Sequence, residues 1–145
     1  MKLEGIHHIT AITGDAPGNV DFYTRVLGLR LVKKSVNQDD PTVYHLFYAD
    51  ERGSPGSDLT FFEYPGAQRG RAGRGMVHRV VWRVASEDAL SFWAERLAGE
   101  GARVDRPGGG ALRFRDPEGL EHELAVDAPA RWLCGRDVRP ASLES

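Results

Sequence analysis

The chain has 145 residues, 41% of them apolar, a formal net charge of −2 and a single cysteine, Cys134. That is enough apolar material for one compact unit or two small modules on a shared core, and it excludes an internal disulfide. The near balance of charge gives no electrostatic basis for binding nucleic acid or an anionic membrane, no run reaches the roughly 18 apolar residues of a membrane helix, and "MKLEGIHH" lacks the apolar core of a signal peptide. A soluble cytoplasmic protein is expected. The arginine-bearing run "QRGRAGRG" reads as a solvated loop.

In chain order, "HHITAIT" is short and β-branched, as a strand should be. Successive strand side chains point to opposite faces, so His7 and His8 are expected on different sides. "APGNVDFYTRVLG" repeats apolar residues at Val20, Tyr23, Val26 and Leu27, which is helical spacing, and Gly28 supplies a stop. Three strands follow, "LRLVKKSV", "TVYHLFYAD" and "DLTFFEY", separated by the turn chemistry of "NQDDP" and "ERGSPGS". The series then begins again. "MVHRVVWRV" reads as a strand and "SEDALSFWAERLAGEG" as a helix capped by Ser86 with acids in its first turn. "ARVDRP", "ALRFRD" and "LEHELAVD" read as strands, with "DPEG" turning the chain before the last. The tail "PARWLCGRDVRPASLES" shows no clear period and reads as a loop or arm.

The two series form a repeat. Laying Gly5 over Gly75 sets His8 on His78, His7 on Val77, Phe22 on Phe92, Tyr23 on Trp93 and Leu27 on Leu97. The later strands match at a shorter spacing, which pairs Thr60 with Glu123. The expected organisation is a first βαβββ module over residues 1–70, a second over 71–128 and a C-terminal tail over 129–145. This is an α+β fold whose curved mixed sheets enclose a cavity. His8 and His78 then occupy equivalent places on the first strands, Thr60 and Glu123 on the last. Two neutral imidazoles and a carboxylate are the facial triad of non-haem Fe(II) oxygenases, which leaves coordination positions open. The alternative is a structural histidine pair inherited by duplication, with Glu123 an exposed strand residue sharing its face with Glu121 and Asp127. In this register Arg79 and Arg83 fall on the face that covers the helix, where only reaching past its edge accommodates them.

"GIHHIT", "FYTRVLGLRL", "GMVH" and "DPEGLEHEL", spanning residues 5 to about 127, resemble the vicinal oxygen chelate superfamily of glyoxalase I, fosfomycin and bleomycin resistance proteins and extradiol dioxygenases. The stretch from "ITGDAPGNVDFYTRVLG" through "TVYHLFYADERGSPGSDLTFFEYPGA" is similar to the N-terminal half of ring-cleaving dioxygenases acting on hydroquinone-type compounds. The resemblance implies the paired βαβββ fold, the metal ligands His8, His78 and Glu123, and a divalent metal: Fe(II) foremost, with Mn(II), Zn(II) or Ni(II) as alternatives. It implies a small aromatic substrate and dioxygen as partners, with no nucleic acid and no membrane. Glyoxalase-type enzymes usually carry a fourth ligand where this chain has Thr60, and that departure suits a three-ligand iron site. Hydroquinone dioxygenases have about four modules and can draw their metal ligands from both halves. This chain is therefore expected to be an N-terminal half, or a short relative completed as a homodimer.

Ring cleavage calls for a base near the substrate. His45 on the third strand is the candidate, against a reading as a surface histidine of the hairpin. Thr60 and Trp82 are candidate substrate contacts, Trp82 because it shares a face with His78. Tyr23 and Trp93 fall on core stripes, and His122 turns away from Glu123 with no assigned role. The competing functions are a glyoxalase-like lyase or thiol transferase, and a metal-free resistance protein that sequesters a small molecule.

Overall fold

In module one, strand β1 (His8–Thr13) lies parallel to β4 (Asp58–Glu63), with His8 opposite Asp58 and Thr10 opposite Thr60. β3 (Tyr44–Ala49) pairs antiparallel with β4 and with β2 (Arg30–Val36), giving the order β1-β4-β3-β2. These elements come from a computed structural model that describes residues 6–54, 56–108 and 110–126; the arm expected over 129–145 lies outside them. Module two has β5 (Arg79–Val84), β6 (Ala111–Arg115) and β7 (Glu121–Val126) in the order β5-β7-β6. The strand expected at "ARVDRP" is reduced to one bridge, Asp105 with Arg113. Pro107 has no N–H for a ladder, and Gly108 and Gly110 take φ of 90° and 72°, which turns the chain away.

Each module carries one helix between its first two strand positions. Helix α1 (Ala16–Asp21) is capped by Asp15, whose carboxylate accepts from the Gly18 N–H at 3.1 Å, with Pro17 in its first turn. It continues as one wider π turn over Phe22–Val26, where the Leu27 N–H reaches the Phe22 carbonyl at 3.0 Å. Adjacent Phe22 and Tyr23 are both buried there, and Gly28 at φ 72° ends the helix as expected. Helix α2 (Glu87–Gly99) is capped by Ser86, which accepts from the Ala89 N–H at 3.2 Å. Neither helix is long and apolar enough to cross a membrane, among the described residues.

Every second residue of the strands turns inward, and both modules share one apolar core. Ile9 and Ala11, Leu46 and Tyr48, Leu59 and Phe61 face it from module one; Val80, Trp82, Leu112, Phe114 and Leu124 face it from module two. The fully buried Tyr23 of the first helix sits between the sheets. Its ring lies 5.2 Å from Tyr48 and 4.9 Å from Phe61 on one side and 5.8 Å from His122 on the other.

A directed hydrogen-bond chain crosses this junction. The Trp82 indole N–H donates to His122 Nδ1 at 3.0 Å, so the neutral imidazole carries its proton on Nε2 and donates to the Tyr23 oxygen at 3.0 Å. The Tyr23 hydroxyl donates to Asp116 at 2.8 Å, and the other Asp116 oxygen accepts the N–H groups of Glu118 and Leu120 at 3.0 and 2.8 Å. Burial lowers the His122 pKa to about 4, and a second ring proton would face the indole N–H donor to donor.

The helix caps Asp15 and Ser86 set the true register of the repeat. They stand 71 residues apart, as do the strand starts His8 and Arg79. Buried Asn19 then matches buried Leu90, and Val26 matches Leu97, whereas Phe92, expected opposite the buried Phe22, is 57% exposed. The structural counterpart of His8 is therefore Arg79, and His78 corresponds to His7. Arg79 and Arg83 consequently point outward, with Val80, Trp82 and Val84 inward. The Thr60–Glu123 match stands, since Thr60 lies opposite Thr10 and Glu123 opposite Val81.

Because the His122 pKa is depressed, the unfolded chain takes up its proton first as pH falls. Stability contributed by the neutral ring is whole above pH ~6.5 and drains toward pH ~4, a loss of roughly 3 kcal/mol. Urea unfolding across this range should show the decline in the wild type. The same series on His122→Phe should lack that component, whatever the variant's overall stability.

Candidate active site

The faces turned away from the helices carry the chemistry. In module one this outer face presents His8 and Thr10 from β1, Asp58, Thr60 and Phe62 from β4, and His45 and Phe47 from β3. His45 is clamped in an aromatic bracket, its ring 3.9 Å from Phe47 and 4.0 Å from Phe62. Its Nε2 is buried and has no hydrogen-bond partner among the described residues. Burial first, then the nearby charges of His8 and Lys33, push its pKa below the usual histidine value. At neutral pH the ring is therefore uncharged and able to accept a proton. The Lys33 ammonium lies 5.6 Å from the Phe47 ring centre, over its face.

His8 begins β1 and is exposed, on the same face as His45. His7 lies just before the strand, so alternation does not separate the two rings: their Nδ1 atoms are 3.0 Å apart and the rings meet edge-on. The expectation that they occupy opposite faces is corrected on this ground. A small cavity of about 80 Å³ opens beside His8 and Asp58, closed by Val81 and Trp82 of β5. Thr60 is buried, and its hydroxyl donates to Thr10 at 2.9 Å.

The other expected residues stand elsewhere. Trp82 is on the core side of β5, opposite to the face of Glu123, with its N–H given to His122, and it also lines the cavity beside His8. His78 lies ahead of β5, exposed, in a surface hollow with Arg69, Arg115 and Glu121. Glu123 is on the outer face of sheet two, where one carboxylate oxygen accepts from Arg113 Nε at 2.6 Å and Arg79 at 3.1 Å. Among the described residues, no group of three His, Cys, Asp or Glu side chains stands close enough to hold a metal. His8, His78 and Glu123 are thus not gathered within one chain: His78 is one residue out of register, and Glu123 is already paired with guanidinium groups.

Three participants escaped the sequence reading. Asp58 lies directly across from His8, and "GSDLT" held no signal beyond a lone carboxylate. Arg79 carried a signal, because an arginine on a supposed helix-covering face marks a register in error. His122 looked idle because it faces away from Glu123; its burial depends on the first helix, which is distant in sequence.

Residues 5–124 match the model of the Glyoxalase/Bleomycin resistance protein/Dioxygenase superfamily. The chain belongs to this superfamily. It is 47% identical over 131 residues to MhqA of Bacillus subtilis (strain 168), whose name gives it as a candidate ring-cleaving dioxygenase; the match covers 88% of this chain and 42% of that protein. It is 38% identical over 123 residues to the chlorohydroquinone/hydroquinone 1,2-dioxygenase of Sphingobium indicum, covering 81% of this chain and 38% of that one. A crystal structure of a candidate dioxygenase from Bacillus subtilis superposes with a TM-score of 0.78 at 44% identity, over 85% of this chain and 40% of that one. The chain therefore spans about two-fifths of the length of these superfamily relatives. The two sheets with their helices are the α+β architecture expected for the fold.

The His45 environment can be read in solution. Its imidazole should titrate below the free-histidine value by NMR, and in His8→Ala the midpoint should move up without reaching that value, because burial remains. An unchanged midpoint in His8→Ala would show that the two rings do not sense each other.

Proposed function

We propose that this chain is part of a metal-dependent ring-cleaving dioxygenase acting on dihydroxy-aromatic compounds, with the outer face of module one as its share of the active site. The observation that carries the reading is the buried, unpaired Nε2 of His45, bracketed by two phenyl rings on the face that presents His8. Its support is the similarity to proteins named as ring-cleaving dioxygenases. Superfamily membership implies a divalent metal, and Fe(II) is the ion that suits an oxygenase. Of the residues present, His8 fits as an imidazole donor, with the Asp58 carboxylate across from it. Two donors do not complete a three-ligand set, so the remaining donors come from outside the described residues, from a second copy of the chain or from the rest of a longer protein.

When bound, a divalent metal supplies a Lewis acid and a template for the substrate oxygens. The chain's own residues do the rest. Phe47 and Phe62 offer apolar walls to a flat ring. His45, neutral at physiological pH, takes the proton of a substrate hydroxyl at Nε2, and Lys33 supports the developing negative charge. Thr60 and Thr10 satisfy each other and keep that part of the face polar without adding charge.

Oxygen uptake by iron-loaded protein on hydroquinone and catechol tests the reading. Turnover is expected, and His45→Ala should slow it by roughly 10²–10⁴-fold while leaving iron content intact. No uptake on any of a panel of dihydroxybenzenes, either by the iron-loaded chain or by that chain supplied with the remaining part of a longer relative, would remove the dioxygenase assignment.

A further inference from the structure

The two outer faces are related position by position, and the relation shows what became of the second one. In module one His8 stands opposite Asp58 and Thr10 opposite Thr60; in module two Arg79 stands opposite Glu121 and Val81 opposite Glu123. Phe47, opposite Thr60, corresponds to Arg113, opposite Glu123. So the imidazole position of module one is a guanidinium in module two, and the hydroxyl position of module one is a carboxylate.

We propose that Arg79 takes the place of a metal ion in the second module, holding Glu121 and Glu123 with its own fixed positive charge and closing that face to divalent cations. Arg79 is bound through Nε to Glu121 and through a terminal nitrogen to Glu123 at 3.1 Å. Arg113 adds a bond to Glu123 at 2.6 Å, and Arg115 approaches Glu121 at 3.4 Å. Glu123 is only 12% exposed and Glu121 20%. Two carboxylates two residues apart on one strand face repel unless a cation lies between them. A divalent ion or a bidentate guanidinium meets that need, and the guanidinium carries its charge at every accessible pH. An incoming metal would meet a Glu123 carboxylate whose charge is already shared by two guanidinium groups on one of its oxygens, so Glu123 serves as a partner of Arg79 and Arg113 rather than as a metal ligand. The donors that remain for a divalent cation at the proposed site are then His8 and Asp58 of module one. The inference concerns the second module and stands or falls independently of whether module one cleaves aromatic rings.

Two measurements on the full chain test it, neither depending on activity. In the wild type, the Nε–H resonances of Arg79 and Arg113 should keep their shifts and slow solvent exchange when Zn²⁺ is added. Loss or displacement of these signals would show that the metal takes Glu123 and would overturn the proposal. In Arg79→His, an imidazole joins Glu121 and Glu123 on one face, and the variant should gain one Co²⁺ equivalent over wild type with the visible bands of nitrogen–oxygen ligation. That gain should be lost when Glu123→Gln is added. A folded Arg79→His with no extra Co²⁺ would equally overturn the proposal, and should that variant not fold, the Zn²⁺ titration of the wild type decides alone.

Discussion

The arrangement of both faces depends on one buried hydrogen-bond chain, Trp82 to His122 to Tyr23 to Asp116. Neither module could keep these groups buried by itself. His122 and Asp116 lie in module two, and the hydroxyl that satisfies both belongs to the first helix. Removing the Tyr23 hydroxyl from the docked structure would leave His122 Nε2 and one Asp116 oxygen buried without that partner, each at a cost of about 1–3 kcal/mol. The chain has one consistent direction of donation and so admits one docking geometry. Around it the Thr13 hydroxyl and the Gly14 N–H both donate to Glu118, and Arg96 of the second helix caps the Val26 carbonyl at the end of the first at 2.8 Å. These bonds all run between modules.

With the helix sides consumed by the shared core, function is left to the outer faces, and the two have diverged in kind. Module one offers imidazoles, hydroxyls and phenyl rings, with a buried nitrogen that lacks a partner among the described residues. Module two offers arginines and glutamates that neutralise one another. Burial alone would push the Glu121 carboxyl up, yet Arg79 and Arg115 hold it below the usual carboxylate range. The first is a surface poised to bind something; the second has its charges satisfied internally. A duplicated unit needs its core positions twice, since both copies pack against one core, but it is free to spend its outward positions differently.

The span of about two-fifths of its superfamily relatives fits this asymmetry. Under the proposed function the outer face of module one supplies His8 and Asp58 as donors beside the aromatic bracket of His45, and further modules or a second copy would set the remaining donors opposite His8. The exposed apolar side chains Ile6, Ile12, Met76, Val77 and Val81 lie in or near β1 and β5, the strands that flank the cavity beside His8.

Much of the fold was legible along the chain because it rests on local chemistry. Strand alternation, the caps Asp15 and Ser86, the stop at Gly28 and the doubled strand–helix–strand order follow from periods and turn residues that act within a few positions. The family resemblance was legible for the same reason, carried by short motifs. The register between the copies was not. A shift of one residue keeps most apolar residues matched, yet it reverses every strand side chain, and "HH" against "HR" offered no local way to choose. Only packing against Tyr23 decided it, by drawing Val80, Trp82 and His122 inward and turning Arg79 and Glu123 outward together. The same is true of the site: residue types announced His8, Glu123 and His45 as reactive groups, but which neighbours they meet depends on strand pairing across 10 to 50 residues. Pairing, not residue type, left His45 Nε2 without a partner among the described residues and gave Glu123 two.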